Sequence, residues 1–563
     1  MAPRNGWFGL LLVVLALSAC RRNEAADGRT WWERPGLGIM YMTEWREGWG
    51  WARNFDDFNA SISDDEGNLD FQGPFPQTDD WVALSRDLKI DYHLIWAKWH
   101  DGICYWDTEQ TDWKTEVDYM APFAKKSRRA RIPFMFYYST IFDHNPQFDD
   151  IQPSPNTWSV ILSTEQPIYE DYLRAQFAEL VETYEPDGLW LDWYSADRST
   201  SVSIEWFEDN APDTLLTFNQ SSYQASESAD LLSFTSGESH YVRRPEAGVE
   251  DLVGVLYGGA WEQANRNRAE FDHPWELVGP LGEFWQTPEI RSDRDELVRI
   301  VAITLASGGR YAMGAIAQAD GSIRPDHVEQ ARWVADWYEP RRDLFQPARA
   351  LPYPGDRPPG VDVPKGYQAI ASQLGADTLL HVINMDGQSG PVLLTLDADR
   401  WGTGEGLYLE PQHTSVTAEQ MDGQLRLTLD PAERVDTIVR VEGLTLDPAT
   451  FEAPDGNDGW IPDPKSVTTC IDGTGPYGPI CPEIASCTCS ACAQELEECE
   501  TDAACVAIVR CALETNCRGA LCYAADTCQA VIDEHGGLTS PSLIQAAAVS
   551  TCSDEACGIC DEP

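Results

Sequence analysis

The sequence predicts an α/β protein: a (β/α)8 barrel of the TIM type, followed by an antiparallel β-sandwich and a small disulfide-rich helical domain. Three observations carry this. Eight near-continuous apolar runs lie at 37–43, 92–99, 132–140, 188–193, 215–220, 231–238, 278–286 and 310–318, and such runs suit parallel strands covered on both faces. Helical patterns fall between several of them, at 79–88, 115–130, 168–184 and 294–307. In the third, Ile168, Tyr172, Leu173, Phe177, Leu180, Val181 and Tyr184 share one face at helical spacing. Finally, 14 of the 16 cysteines lie between Cys470 and Cys560. Strand and helix alternating from Trp31 to Phe345 make a barrel, whose active site is expected at the carboxyl ends of its strands.

In chain order, residues 1–19 read as an export signal, with one Arg, an apolar run from Leu10 to Leu17 too short to anchor in a bilayer, and small residues before Cys20. Leu17-Ser18-Ala19-Cys20 resembles a bacterial lipobox, which makes Cys20 the lipidation site; the alternative is an ordinary signal peptide cut near Ala19. More than one acyl chain gives stable anchoring, so the expected location is the cell envelope or outer membrane surface, with membrane contact through the lipid anchor alone. The barrel is expected over 20–348. Pro-rich punctuation at 351–359 then breaks the pattern, and short alternating runs at 378–383, 392–396, 425–429 and 437–441 predict a β-sandwich over 349–446. Residues 447–469, acidic and Gly-rich, read as a linker.

In the last segment, 470–563, an even number of cysteines in an exported chain reads as a disulfide framework. Cys487, Cys489 and Cys492 are close enough to raise a zinc site, but the sequence lacks suitably placed His, and no metal is expected. From Cys499 to Cys528 the cysteines recur five or six apart among Ala, Glu, Leu and Val, which favours short helices stapled by disulfides.

Composition narrows the function classes. Lys plus Arg total 40 against 92 Asp plus Glu, a net charge of −52, and such a field repels nucleic acid and anionic lipid. A hydrophobic fraction of 43% with 22 Trp, 20 Tyr and 18 Phe is far too apolar for a disordered polymer. Aromatic faces suit sugar rings, although most aromatic residues fill cores.

Polar residues at the ends of buried strands need a reason. Gly188-Leu-Trp-Leu-Asp places Asp192 at the end of a short, strongly apolar run; Lys98-Trp-His places His100 at the end of another; and Phe234-Thr-Ser-Gly-Glu brings Glu238 to the end of a third. Two carboxyls facing each other across a mouth lined by Trp99, Trp106, Trp193 and Trp285 are the equipment of glycoside hydrolysis. That chemistry needs an oligosaccharide or glycoconjugate substrate, and neither metal nor other cofactor.

These residues carry a resemblance. Tyr92-His-Leu-Ile-Trp-Ala-Lys-Trp-His-Asp-Gly with Trp106-Asp-Thr and Thr111-Asp-Trp, then Tyr137-Tyr-Ser, Tyr184-Glu-Pro-Asp-Gly-Leu-Trp-Leu-Asp, Pro274-Trp-Glu with Phe284-Trp, and Ser307-Gly-Gly-Arg with Asp320-Gly-Ser-Ile occur in the order found in the α-L-fucosidases of glycoside hydrolase family 29. The segment from about Trp31 to Phe345 resembles their catalytic domain, and the β domain resembles their sandwich. The resemblance implies a retaining α-L-fucosidase with Asp192 as nucleophile, Glu238 as acid/base, and Glu276 and Glu283 as reserves for that role. It gives His100 and Tyr138 to sugar hydroxyls, and places Trp99, Trp106, Trp193, Trp285, Glu276 and Glu44 around the sugar.

The chain departs from the family at the sugar contacts. Met42-Thr43-Glu44 stands where the family has His-Trp-Gly, Trp99-His100 where it has paired His, and Asn219-Gln-Ser where it has Asn-Asp-Arg. Changed donors change which sugar is preferred or weaken catalysis. Two alternatives therefore stand beside the hydrolase: a catalytically weakened carbohydrate-binding surface lipoprotein, and a surface-anchored adhesion or assembly protein working through its tail. A buried carboxylate kept at the end of the fourth strand separates the hydrolase from the carbohydrate-binding protein.

Overall fold

The computed structural model describes residues 29–43, 69–71, 73–151, 161, 166–192, 202, 204–219, 233–238, 273–282, 293–353, 357–385, 387, 389–430, 435–446, 499, 502–515, 528–535, 542–543, 545–546 and 549. Eight strands form the barrel: β1 (Gly36–Met42), β2 (Tyr92–Lys98), β3 (Phe134–Ser139), β4 (Gly188–Asp192), β5 (Leu215–Phe218), β6 (Thr235–Glu238), β7 (Trp275–Pro280) and β8 (Arg310–Ile316). They run β5-β4-β3-β2-β1-β8-β7-β6, and the registered pairs are all parallel. At the seam between β5 and β6, the Ser233 amide donates to the Leu216 carbonyl (3.0 Å) and the Leu216 amide to the Ser233 hydroxyl (3.1 Å).

Helices α1 (Thr78–Asp87), α2 (Met120–Ala130), α3 (Pro167–Tyr184), α4 (Ile204–Asn210), α5 (Arg294–Ala306) and α6 (Pro325–Tyr338) accompany the strands. Local sequence sets their ends. Asp293 caps α5 by accepting from the Glu296 amide at 2.9 Å, and Glu296 reaches back to the Asp293 amide at 3.3 Å. Pro167 opens α3, where its missing N–H costs no hydrogen bond. Helix α2 begins at Met120, five residues later than its apolar pattern suggests, because Thr115 is held in the preceding loop by its amide on the Cys104 carbonyl (3.0 Å).

The seventh strand also differs from expectation. It spans Trp275–Pro280 rather than 278–286, since a charged Glu276 breaks the apolar run that sequence reasoning follows. Inside the barrel that charge has partners. Trp190 Nε1 donates to Glu276 at 3.1 Å, the Ser236 hydroxyl donates at 3.0 Å, and Tyr92 OH donates to its other oxygen.

Inward side chains alternate along each strand. In an eight-stranded barrel, with a stagger of about one residue per strand, alternate strands fill common layers. The observed registers put positions 96, 192, 238 and 314 in one layer at the carboxyl end, and Met40, Tyr137, Asn219 and Val278 just beneath. Leu94, Trp190, Ser236 and Ala312 follow, then Gly38, Met135, Thr217 and Glu276. The contacts agree, for Trp190 Nε1 donates across its layer to Ser236 Oγ (3.0 Å) and down to Glu276, while Tyr92 meets Glu276 from below. The start of β4 is crowded: a Cβ on Gly188 would lie 2.6 Å from the Met135 methyl and 3.0 Å from Leu215, so a larger residue there would have to displace them.

The β-sandwich holds antiparallel sheets of four and six strands among the described residues. Leu380, Val382, Leu394, Leu427, Val439 and Trp401 lie at its centre. It docks on the barrel: Ile370, Leu379, Ile383 and Ile438 pack into the barrel's own core, Arg299 of α5 donates to the Asn384 carbonyl (2.7 Å), and Phe345 stacks on His381 with centroids 5.2 Å apart. In the tail, disulfides Cys499–Cys505 and Cys511–Cys528 staple the helices Ala503–Thr515 and Gln529–Glu534 around Ile508, Val509 and Ile532. Among the described residues, no helix is long and apolar enough to cross a membrane. The linker at 447–469, and the positions Cys20, Cys487, Cys489 and Cys492, lie outside the described residues.

Candidate active site

Asp192 ends β4 and points into the barrel at its carboxyl end, 5% exposed: covered by protein, yet within reach of the mouth. Its carboxylate is gripped from two neighbouring strands. Tyr137 OH of β3 donates to Oδ2, and Asn219 Nδ2, just past β5, donates to Oδ1 at 2.7 Å. Two donors compensate for the burial of the charge and hold one rotamer, which a nucleophile at a fixed attack distance requires. The backbone is pinned as well, since the Thr140 amide and hydroxyl both donate to the Asp192 carbonyl, at 3.2 and 2.7 Å.

His100 faces Asp192, with Nε2 at 3.6 Å from Oδ2. Burial, then the neighbouring His144 and the Lys98 charge, hold its pKa well below the ordinary imidazole value, so the ring is neutral at neutral pH. The hydrogen bonds settle the tautomer. Ser139 donates its single hydroxyl proton to the Phe142 carbonyl (3.0 Å), so its oxygen must accept from His100 Nδ1–H (2.6 Å). Nε2 then carries the ring's lone pair and faces the Asp192 carboxylate.

A ladder of aromatic rings backs this pair. Trp190 stacks on Tyr137 (centroids 5.4 Å apart), Tyr137 on Trp96 (4.7 Å), Trp96 on Trp99 (5.9 Å) and Trp99 on His100 (5.0 Å). Each such pair adds about 0.5–1.5 kcal/mol beyond burial, so the wall is stiff.

Four expected site residues are brought together here or placed at the mouth by the backbone: Asp192, His100 and Trp99 by their side chains, and Glu238 by its position at the end of β6 in the layer of Asp192. The Glu238 side chain lies outside the described residues, as do Glu44, Trp193, Glu283 and Trp285. Three expectations are corrected. Tyr138 faces outward from β3, its hydroxyl donating to Gln176 of α3; strand alternation turns its neighbour Tyr137 to the site instead. Trp106 also faces α3, with Nε1 on Glu179 at 3.2 Å. Glu276 sits near the floor of the barrel, layers below Asp192, where burial raises its pKa against the pull of Arg310.

Sequence reasoning passed over Tyr137, Trp96, Ser139 and Asn219. For Tyr137 and Ser139 the deciding signal is parity: once Asp192 is inward on β4, the register Ser139↔Asp192 makes residues 137 and 139 inward on β3.

A parallel eight-stranded barrel with a held carboxylate at the end of its fourth strand, a neutral imidazole opposite and an aromatic wall behind is a barrel of the glycosidase class. The chain belongs to the α-L-fucosidase family, whose family model matches residues 31–341. It is 20% identical over 276 residues to the α-L-fucosidase of Dictyostelium discoideum, covering 46% of this chain and 53% of that protein. To that of Branchiostoma floridae it is 24% identical over 283 residues, covering 47% and 56%. The chain thus spans about half the length of the curated relatives it matches. In structure it is similar to α-L-fucosidase isoenzyme 1 from Paenibacillus thiaminolyticus, with a TM-score of 0.52 at 17% identity, covering 74% of this chain and 98% of that one, a likeness of fold.

Proposed function

We propose that the chain is a retaining glycoside hydrolase that removes terminal α-L-fucosyl or related deoxy-sugar residues from oligosaccharides or glycoconjugates by double displacement. The observation that carries this reading is the Asp192 carboxylate, held by Tyr137 and Asn219 at the mouth of a barrel of the α-L-fucosidase family. Asp192 attacks the anomeric carbon while an acid protonates the leaving oxygen; the acid, now a base, activates the water that releases the sugar. Glu238 is the group assigned to that acid/base role, and its place in the layer of Asp192 supports the assignment. His100 Nε2 accepts from a sugar hydroxyl, and Asn219 holds the nucleophile where the family's motif continues to an Arg. With the full chain and a panel of nitrophenyl glycosides, the α-L-fucoside should be cleaved fastest, and the sugar first released should keep its anomeric configuration. Cleavage of none of the panel, or release with inversion, rejects the reading.

The lipobox reading of Leu17-Ser18-Ala19-Cys20 supports an exported lipoprotein held at the cell envelope or outer membrane surface, with glycans of the surroundings as substrates. Replacing Cys20 by Ala removes the acyl acceptor, so the exported variant should move from the detergent phase to the aqueous phase on phase partitioning. A variant that partitions like its parent would disprove the anchor.

A further inference from the structure

We propose that Trp96 is a sugar-contacting residue of this site, its indole N–H donating to a hydroxyl of the glycone held over Asp192; this deepens the hydrolase reading and rests on it. The argument begins with parity. Along β2, His93 faces outward, its Nδ1 and Nε2 on the hydroxyls of Ser85 in α1 and Ser127 in α2 (2.9 and 2.8 Å), while Tyr92 faces inward onto Glu276. Alternation therefore turns Trp96 inward, and its stacking on the inward Tyr137 agrees. The barrel registers put Trp96 in the layer of Asp192, with Tyr137 just beneath joining the two by its ring and its hydroxyl. Gly314, the β8 member of that layer, adds no side chain, which leaves room on that side of the mouth.

The second observation concerns the indole nitrogen. Trp96 is 3% exposed and its Nε1 is buried, yet it has no hydrogen-bond partner among the described residues. Four other buried indoles of the barrel are satisfied: Trp81 on the Gly321 carbonyl, Trp106 on Glu179, Trp113 on the Asp101 carbonyl and Trp190 on Ser236 and Glu276. Leaving a buried N–H unmade costs about 1–3 kcal/mol, a cost that a bound acceptor removes. The ring cannot swing away to find another partner, because Tyr137 and Trp99 stack on it. A rigid, unsatisfied donor beside the nucleophile is what a site prepared for a hydroxyl requires.

The chemistry also sets a polarity. An indole only donates, whereas His100 Nε2 in the tautomer fixed by Ser139 only accepts. The site therefore offers one glycone hydroxyl a donor from Trp96 and another an acceptor from His100, and an analogue lacking the hydroxyl at Trp96 leaves that N–H unpaired again.

The test is a cycle on the full chain, combining Trp96→Phe with aryl α-L-fucosides lacking the 2-, 3- or 4-hydroxyl in turn. Phe keeps the stacked ring and removes the N–H, and an unchanged melting temperature verifies the wall. Trp96→Phe should lower kcat/KM on the complete fucoside by about three- to tenfold. One deoxy analogue should be lowered by a similar factor in the parent and not lowered further in the variant, while the other two remain sensitive to the substitution. Equal loss on all analogues marks a purely structural role and overturns the proposal, as does no loss at all. If the parent cleaves none of the fucosides, the hydrolase reading fails, and the same cycle is read by calorimetry with L-fucose and its deoxy forms. There, weaker binding in Trp96→Phe that is absent for one deoxy form supports the contact; unchanged binding, or none by the parent, overturns it.

Discussion

Asp192→Ala should lose turnover of an aryl α-L-fucoside by about 10⁴-fold or more, the scale seen when the nucleophile of a covalent mechanism is removed. The structure makes this loss one of chemistry and not of folding. Asp192 stands at the last position of β4, and its backbone carbonyl keeps both bonds from Thr140 in the variant. Removing the carboxylate leaves Tyr137 OH and Asn219 Nδ2 without their acceptor but opens a small space on the face of the sugar that Asp192 attacks. Azide fits such a space. Its terminal nitrogen forms the bond to the anomeric carbon as the bond to the aryloxide breaks, and the aryloxide leaves with the electron pair. The product is a glycosyl azide of inverted configuration. Added azide should therefore restore part of the lost rate in Asp192→Ala and leave the parent unchanged. Stopped assays for released nitrophenol, with the azide product identified by mass and by its anomeric coupling, decide the matter. An Asp192→Ala protein with turnover near that of the parent would remove Asp192 from the mechanism.

The parts of the site that could be read in the sequence share one property: a single polar residue ends an apolar run. Asp192 after Gly188-Leu-Trp-Leu is such a case, and the eight-strand count rests on the apolar runs themselves. The rule fails where a charge is buried inside a strand with partners from elsewhere in the chain. Glu276 is satisfied by Tyr92, Trp190 and Ser236, from three other strands, so no local pattern marks it as interior, and β7 was set three residues too late. Parity is the second limit. Two adjacent tyrosines at 137 and 138 are equally apolar and equally buried, and only pairing with β4 decides which one meets Asp192. Trp106 illustrates the third. An aromatic residue soon after a strand end looks like part of a mouth, yet a carboxylate on α3, Glu179, draws its N–H outward to the helix layer.

Lys98→Met should destabilise the barrel by about 3–5 kcal/mol, the cost of leaving a buried charge after its partner is removed. Lys98 ends β2 beyond an irregularity in the register between Trp96 and Lys98, which lets Trp96 face the site while Lys98 turns outward to α3. There its ammonium pairs with Asp143, both side chains fully buried, and lies 4.6, 5.7 and 5.6 Å from the rings of Tyr138, Tyr169 and Tyr172. Asp143 also accepts from the Asn145 amide at 3.0 Å, and the next residue, His144, donates its amide to the His100 carbonyl at 3.2 Å. The ion pair thus ties the end of β2 to the segment that follows β3, and so holds the backbone of His100. In Lys98→Met the Asp143 carboxylate loses its counter-charge in a dry setting, whereas Lys98→Met with Asp143→Leu buries two apolar side chains and should recover most of the loss. Denaturant melts followed by tryptophan fluorescence give the three stabilities. The barrel midpoint should fall sharply in the single variant and return in the double one, while kcat/KM returns only as far as His100 regains its place. A single variant that loses less than about 1 kcal/mol would show that water or a proton reaches Asp143, and that the pair does not clamp the strand end as drawn.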